Sequence, residues 1–112
     1  MSMERLIDGM VQRIIQHCDP ERIVLFGSCA KGTFTQGSDI DLLVLLDTEV
    51  PRAFRAIGLK QLFLEYPIAV DVVVLTMEEY EEERRRPYSF AHSVSLSGIV
   101  LYEMQHAERT AR

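Results

Sequence analysis

The chain has 112 residues, 47% of them apolar and 26% charged, and its 17 acidic against 12 basic side chains leave a net charge of −5. That length suits a single domain over residues 1–112, able to bury roughly two thirds of its extended surface without disulfides or a structural metal, and the composition excludes intrinsic disorder. The acidic balance argues against direct binding to a nucleic-acid backbone. The longest aliphatic run, Leu42 to Leu46, is far below the ~18 residues of a membrane span, and no signal-peptide core opens the chain, so a cytoplasmic protein is expected.

In chain order, Met3, Leu6, Ile7, Met10, Val11, Ile14, Ile15 and Cys18 recur at steps of three and four, which predicts an amphipathic helix capped by Ser2 and stopped at Asp19-Pro20. A β-prone run, Ile23 to Phe26, ends at Gly27-Ser28, and a glycine-punctuated stretch separates it from a second strand, Ile40 to Leu46. Pro51 to Glu65 reads as a helix with broad apolar coverage, left at Tyr66-Pro67. Ile68 to Leu75 reads as a strand covered on both faces, with Asp71 its one charge. Thr76 and Glu79 form a capping box for a helix through the acidic run Glu78 to Glu83 and the basic run Arg84 to Arg86, an order that suits the helix dipole. Pro87 opens a short helix to about Leu96, Gly98 breaks it, and Ile99 to Tyr102 suits an edge strand. The alternation predicts an α/β fold, a small mixed sheet with helices packed on it.

The chemistry concentrates between Gly27 and Leu46. Asp39 and Asp41 lie two apart at the head of a strand, so both carboxylates share one face, roughly 6.6 Å apart along the chain, and Leu43 and Leu45 continue that face into the core. Two such charges in an effective dielectric near 20 repel by about 3 kcal/mol, which calls for a cation between them. Asp71 is the candidate third member, because an unpaired acid within an apolar strand would otherwise incur several kcal/mol of desolvation. An all-oxygen set without His or Cys favours Mg²⁺ or Mn²⁺ over zinc, and three carboxylates holding two ions form a two-metal arrangement for phosphoryl chemistry.

Upstream, Gly27-Ser28 ends a strand and opens a one-turn helix, a geometry that aims backbone N–H groups and a hydroxyl at an anion, with Lys31 one turn on. Gly27 and Gly32 have the GxxxxG spacing of a P-loop, but Thr33-Phe34 stand where Lys and Ser or Thr are required. No GxGxxG occurs for a dinucleotide.

Gly27-Ser28, ten intervening residues, Asp39-Ile40-Asp41 and a later strand aspartate, Asp71, form a combined pattern. It resembles the minimal nucleotidyltransferases of the DNA polymerase β superfamily, whose loop reads GSxARGxxxxxSDIDL, and the likeness runs from the first helix to Tyr102. The resemblance implies a palm-like nucleotidyltransferase fold and ATP as substrate with two Mg²⁺. Asp39, Asp41 and Asp71 would be metal-holding and catalytic, with Asp71 helping to activate the acceptor hydroxyl, and Gly27, Ser28 and Ser38 would contact the triphosphate. Lys31 stands where the family usually has Arg, keeping the charge without the bidentate fork, and Cys29 where an aromatic residue or Arg is common. Short members of this family pair with a HEPN-domain ribonuclease toxin, and some silence it by moving AMP onto a tyrosine. The chain's length leaves no room for the added acceptor domain of larger relatives, so the acceptor is expected from outside.

Other readings stay open beside this one. A non-catalytic antitoxin that neutralises by binding, or an enzyme that modifies a small hydroxylated molecule such as an aminoglycoside, would use the same motif. Lys31 reads equally as a surface residue, and Ser38 as a turn former. His17, His92 and His106 have no metal-ligand spacing; Arg84 to Arg86 read as a solvated helix end, and the tail after Glu103 as frayed. Cys18 and Cys29 read as reduced thiols, and Cys29, at a helix start that could lower its pKa, reads as a packing residue for want of a nearby base.

Overall fold

A computed structural model describes residues 2–33 and 37–105. Helix α1 (Met3–His17) begins where the extended Ser2 accepts the Arg5 N–H at 3.2 Å, and buries Ile7, Met10, Val11 and Ile14. Strand β1 (Arg22–Phe26) leads into the one-turn helix α2 (Ser28–Lys31), and β2 (Ile40–Leu45) follows. A 3-10 turn at Arg52–Phe54 and a short α3 (Ile57–Gln61) precede β3 (Val70–Leu75). Then come α4 (Met77–Glu83), α5 (Phe90–Ser97) and β4 (Ile99–Glu103).

The strands form one sheet in the order β3-β2-β1-β4. It is mixed, as expected: β2 and β3 run parallel, while β1 runs antiparallel to β2 and β4, and β4 is an edge. Strand alternation divides the core in two. Ile23, Leu25, Ile40, Leu42, Val44, Val72 and Val74 meet α1, Leu59 and Phe63 on one face, while Val24, Leu43, Leu45 and Leu75 meet Tyr80, Ala91 and Val94 on the other. Leu42, Leu43 and Leu45 are fully buried, each contributing about 1.5–3 kcal/mol. A slip of one residue in β2 would exchange its two faces, so this apolar pattern fixes which way Asp39 and Asp41 point.

Several expected elements are shorter than the sequence suggests. The predicted helix Pro51 to Glu65 breaks into the 3-10 turn and α3, because its polar groups bind elsewhere and few of its apolar residues find cover. Arg55 Nε donates to the Val50 carbonyl at 2.7 Å, Arg13 donates to the Leu62 carbonyl at 2.9 Å, and Gly58 weakens the middle by about 1 kcal/mol relative to Ala. Leu59 and Phe63 are buried, but Phe54, Ile57 and Leu64 are exposed. The strand predicted over Ile68 to Leu75 starts at Val70 and lies at a sheet edge, so its first half is open and Asp71 is not enclosed. The Thr76/Glu79 capping box is present, but α4 ends at Glu83 and leaves Arg84 to Arg86 in the following turn. The last helix begins at Phe90 with Ser89 as its cap, because Tyr88 takes a left-handed φ of 70°. No helix among the described residues is long and apolar enough to cross a membrane. His106 and the tail beyond Gln105 lie outside the described residues.

Candidate active site

Parallel pairing sets Asp41 of β2 directly beside Asp71 of β3. The rung at the base of this pair, Ile40 N–H to the Ala69 carbonyl at 2.9 Å, fixes the strand heads against each other. Asp39 lies just ahead of β2, exposed, with the same parity as Asp41, and Asp41 is half-buried. Leu43, Leu45, Val73 and Leu75 carry this face into the core beneath α4 and α5, as the spacing predicts. Burial raises the Asp41 carboxyl above its ordinary pKa, and the charges of Asp71 and then Asp39 push it further the same way. The cluster is therefore one of like charges, felt most by the residue at its centre.

From the other side β1 closes on Asp41. Phe26 is its antiparallel register partner, and the Phe26 ring meets Phe90 edge-to-face at 5.0 Å between centroids. Gly27 follows with φ 76° and ψ −157°, a conformation open essentially only to glycine. A Cβ there would collide with Asp41 Oδ2. The strand-to-helix bend is thus pressed onto the carboxylate, and only the absence of a side chain allows it. Helix α2 then turns once: Lys31 N–H reaches the Gly27 carbonyl at 3.2 Å and Thr33 N–H the Ser28 carbonyl at 3.0 Å. Its first-turn N–H groups are those a helix does not use internally.

Ser28 is half-buried at the start of α2, and Lys31 is exposed at its end. Ser38 is half-buried and, with Met3, Asp39, Pro67, Ile68 and Ala69, lines a cleft of about 310 Å³. Cys29 packs against the core cluster on the α1 side, and burial, then the Asp41 charge, hold its thiol above the ordinary value. The helix start does not activate it. Thus Gly27, Asp39, Asp41 and Asp71 gather at one end of the sheet, while Lys31 faces solvent.

Sequence reasoning missed Lys60, whose Nζ stands 3.3 Å from Asp71 Oδ1. It lies in the segment read as one long helix, where no single face could be assigned. It also missed Arg55, whose guanidinium holds Glu79 at 2.6 and 3.2 Å and so ties the 3-10 segment to α4.

Among the described residues, no three His, Cys, Asp or Glu side chains stand close enough to hold a metal ion in this arrangement. The donor set nonetheless has the right chemistry. Two acids are in register with a third two residues away, their mutual repulsion is visible at Asp41, and the all-oxygen composition suits a hard divalent cation. Asp71 already carries a cationic partner, Lys60, and both side chains are about half exposed, at 53% and 51%.

Residues 4–102 match the nucleotidyltransferase domain family. The chain belongs to that family. A protein of Methanocaldococcus jannaschii named "Putative protein adenylyltransferase" is 32% identical over 82 residues, 73% of this chain and 78% of that one. A crystal structure described as a "putative nucleotidyltransferase from Sulfolobus solfataricus" superimposes with a TM-score of 0.63 at 21% identity, covering 90% of this chain and 80% of the other. A crystal structure described as "the toxin-antitoxin with AMP-PNP" does so with a TM-score of 0.60 at 25% identity, covering 91% and 77%. The fold of this nucleotidyltransferase, a small mixed sheet with helices on both faces, is that of these structures.

Proposed function

We propose that this nucleotidyltransferase transfers AMP from ATP to a hydroxyl, a tyrosine, of a partner HEPN-type toxin protein and thereby acts as its antitoxin. The observation that carries the reading is the register of Asp41 with Asp71 under a glycine bend that leaves no room for a side chain. Membership of the nucleotidyltransferase domain family supports the reaction class, and the relative named a protein adenylyltransferase supports a protein acceptor. The toxin–antitoxin structure with AMP-PNP supports the partner class and the nucleotide.

In this reading Asp39, Asp41 and Asp71 would hold Mg²⁺, or Mn²⁺, as catalytic and metal-binding residues. When bound, the ions polarise the phosphoryl oxygens and make the acceptor hydroxyl more acidic. Gly27 and Ser28 offer N–H groups and a hydroxyl to the triphosphate, Ser38 borders it from the Asp39 side, and Lys31 supplies a point charge without the fork of an arginine. Asp71, the more open of the two in-register acids, takes the acceptor's proton. The acceptor oxygen attacks the α-phosphorus, and the bond to the bridging oxygen breaks to release pyrophosphate. The Phe26 ring, from the residue in register with Asp41 on β1, packs edge-to-face against Phe90 beside the site.

The test is to incubate the chain with α-labelled ATP, Mg²⁺ and the toxin encoded beside it. Label is expected on the toxin, and Asp39→Ala/Asp41→Ala should reduce its transfer by about a hundredfold or more. Equal labelling by that variant would overturn the assignment of the site. Full neutralisation of the toxin by a chain lacking all three aspartates would favour an antitoxin that works by occupancy.

A further inference from the structure

The pair between Lys60 and Asp71 is not required by the fold. Both side chains are about half exposed, and α3, which bears Lys60, is little more than one turn. The neighbouring Leu59 packs into the core on the α1 face, whereas Asp71 has the parity of Val73 and Leu75, which pack on the opposite face. Lys60 therefore meets Asp71 at the open edge of the sheet, where β3 has no outer neighbour. Among the described residues, no lysine or arginine pairs with Asp39 or Asp41, and Asp41 is the acid that feels the others' charge. Among the described residues, the outermost of these three like charges is the one answered by a lysine.

We propose that Lys60 is a built-in counter-cation, a positioning residue that holds Asp71 in the empty enzyme and must be displaced before a divalent cation can use that carboxylate. This rests on the metal-holding role assigned to Asp71 above. An exposed ion pair of this kind is weak, so a divalent ion can break it, but each binding event carries that expense and affinity is lowered accordingly. The consequence is an outer acid whose charge is answered in the absence of metal and a site that releases the ion readily. The anchoring of the 3-10 segment through Arg52 to Glu83 and Arg55 to Glu79 keeps α3 near β3, so the displaced ammonium stays within reach to return.

The experiment titrates the full chain with Mn²⁺ alone and reads the free ion by electron paramagnetic resonance. Lys60→Met should bind Mn²⁺ about two- to fivefold more tightly than wild type, the range expected for loss of an exposed competing pair. Lys60→Gln should do the same, and serves if the apolar replacement disturbs the fold. Lys60→Arg, which keeps the pair, should stay at or below wild-type affinity. In an Asp71→Asn background, Lys60→Met should add nothing. Wild-type affinity in both neutral variants would overturn the inference, as would the same gain in the Asp71→Asn background. If Mn²⁺ binds wild type and weakens with Asp71→Asn yet ignores Lys60, only the role of Lys60 falls. If wild type binds no Mn²⁺, the metal-site reading falls and takes this one with it.

Discussion

The two ends of β3 carry acids in opposite circumstances. At its start, Asp71 stands in register with Asp41 and near Asp39, and burial together with these like charges raises the Asp41 pKa. Just past its end, Glu79 accepts two hydrogen bonds from Arg55 and one from the Thr76 N–H, and these hold its carboxyl down to about 2. One cluster opposes folding when ionised; the other supports it. A carboxylate that helps fold this chain is one whose partners are supplied by the chain, and the one that burdens the fold has other carboxylates as its charged neighbours.

The contrast can be broken first at Gly27. Gly27→Ala must place a Cβ against Asp41 and hold alanine in a backbone conformation costing about 1–3 kcal/mol, so both stability and AMP transfer should fall. For a domain of this size each kcal/mol lowers the melting temperature by about 4–8 °C, readable by circular dichroism. Adding Asp41→Ala should recover the steric part of that loss and leave the backbone part. Additive losses would mean that the bend does not press on the carboxylate.

At the other end, Arg55→Ala should remove about 2 kcal/mol, because a nearly enclosed guanidinium and its three hydrogen bonds are lost together. Nucleotide binding should stay near wild type. Glu79 has a folded pKa below its unfolded value, so its contribution is complete above about pH 4.5 and is lost as pH falls toward about 2. Chemical denaturation of wild type and Arg55→Ala across that window should show the two curves converging at low pH. Parallel curves would assign the acid sensitivity to other groups.

The smallest effect sharpens the contrast from the opposite direction. Asp41 has a folded pKa raised above its unfolded value, so its penalty appears as pH rises through that folded value and persists at neutrality. Asp41→Asn should therefore raise the metal-free melting temperature by a few degrees at pH 7 while abolishing transfer. A lower melting temperature would show that the carboxylate is stabilising after all.

Much of this was legible before any coordinates. The heptad-like stripe on α1, the Thr76/Glu79 box and the aspartates spaced two apart are local patterns, and local hydrogen bonding and strand alternation are enough to realise them. The Gly27-Ser28 bend was visible for the same reason, since a strand ending in glycine before a small polar residue allows few backbone paths. The segment from Pro51 to Glu65 was not legible: its apolar residues fit several helical faces, and the groups that divide it, Arg13 and Glu79, are remote in sequence.

The sequence by itself determined which side chains share a face of each strand, because alternation is a property of the extended backbone, and it set the aspartates on the face that Leu43 and Leu45 continue into the core. Only the tertiary structure decided which strand lies beside β2, and hence that Asp71 meets Asp41. It alone brought Lys60 to the outer acid, Arg55 to Glu79 and Gly27 onto Asp41. Those contacts depend on packing two apolar faces of one sheet at once, and no local pattern encodes a choice that both cores must make together.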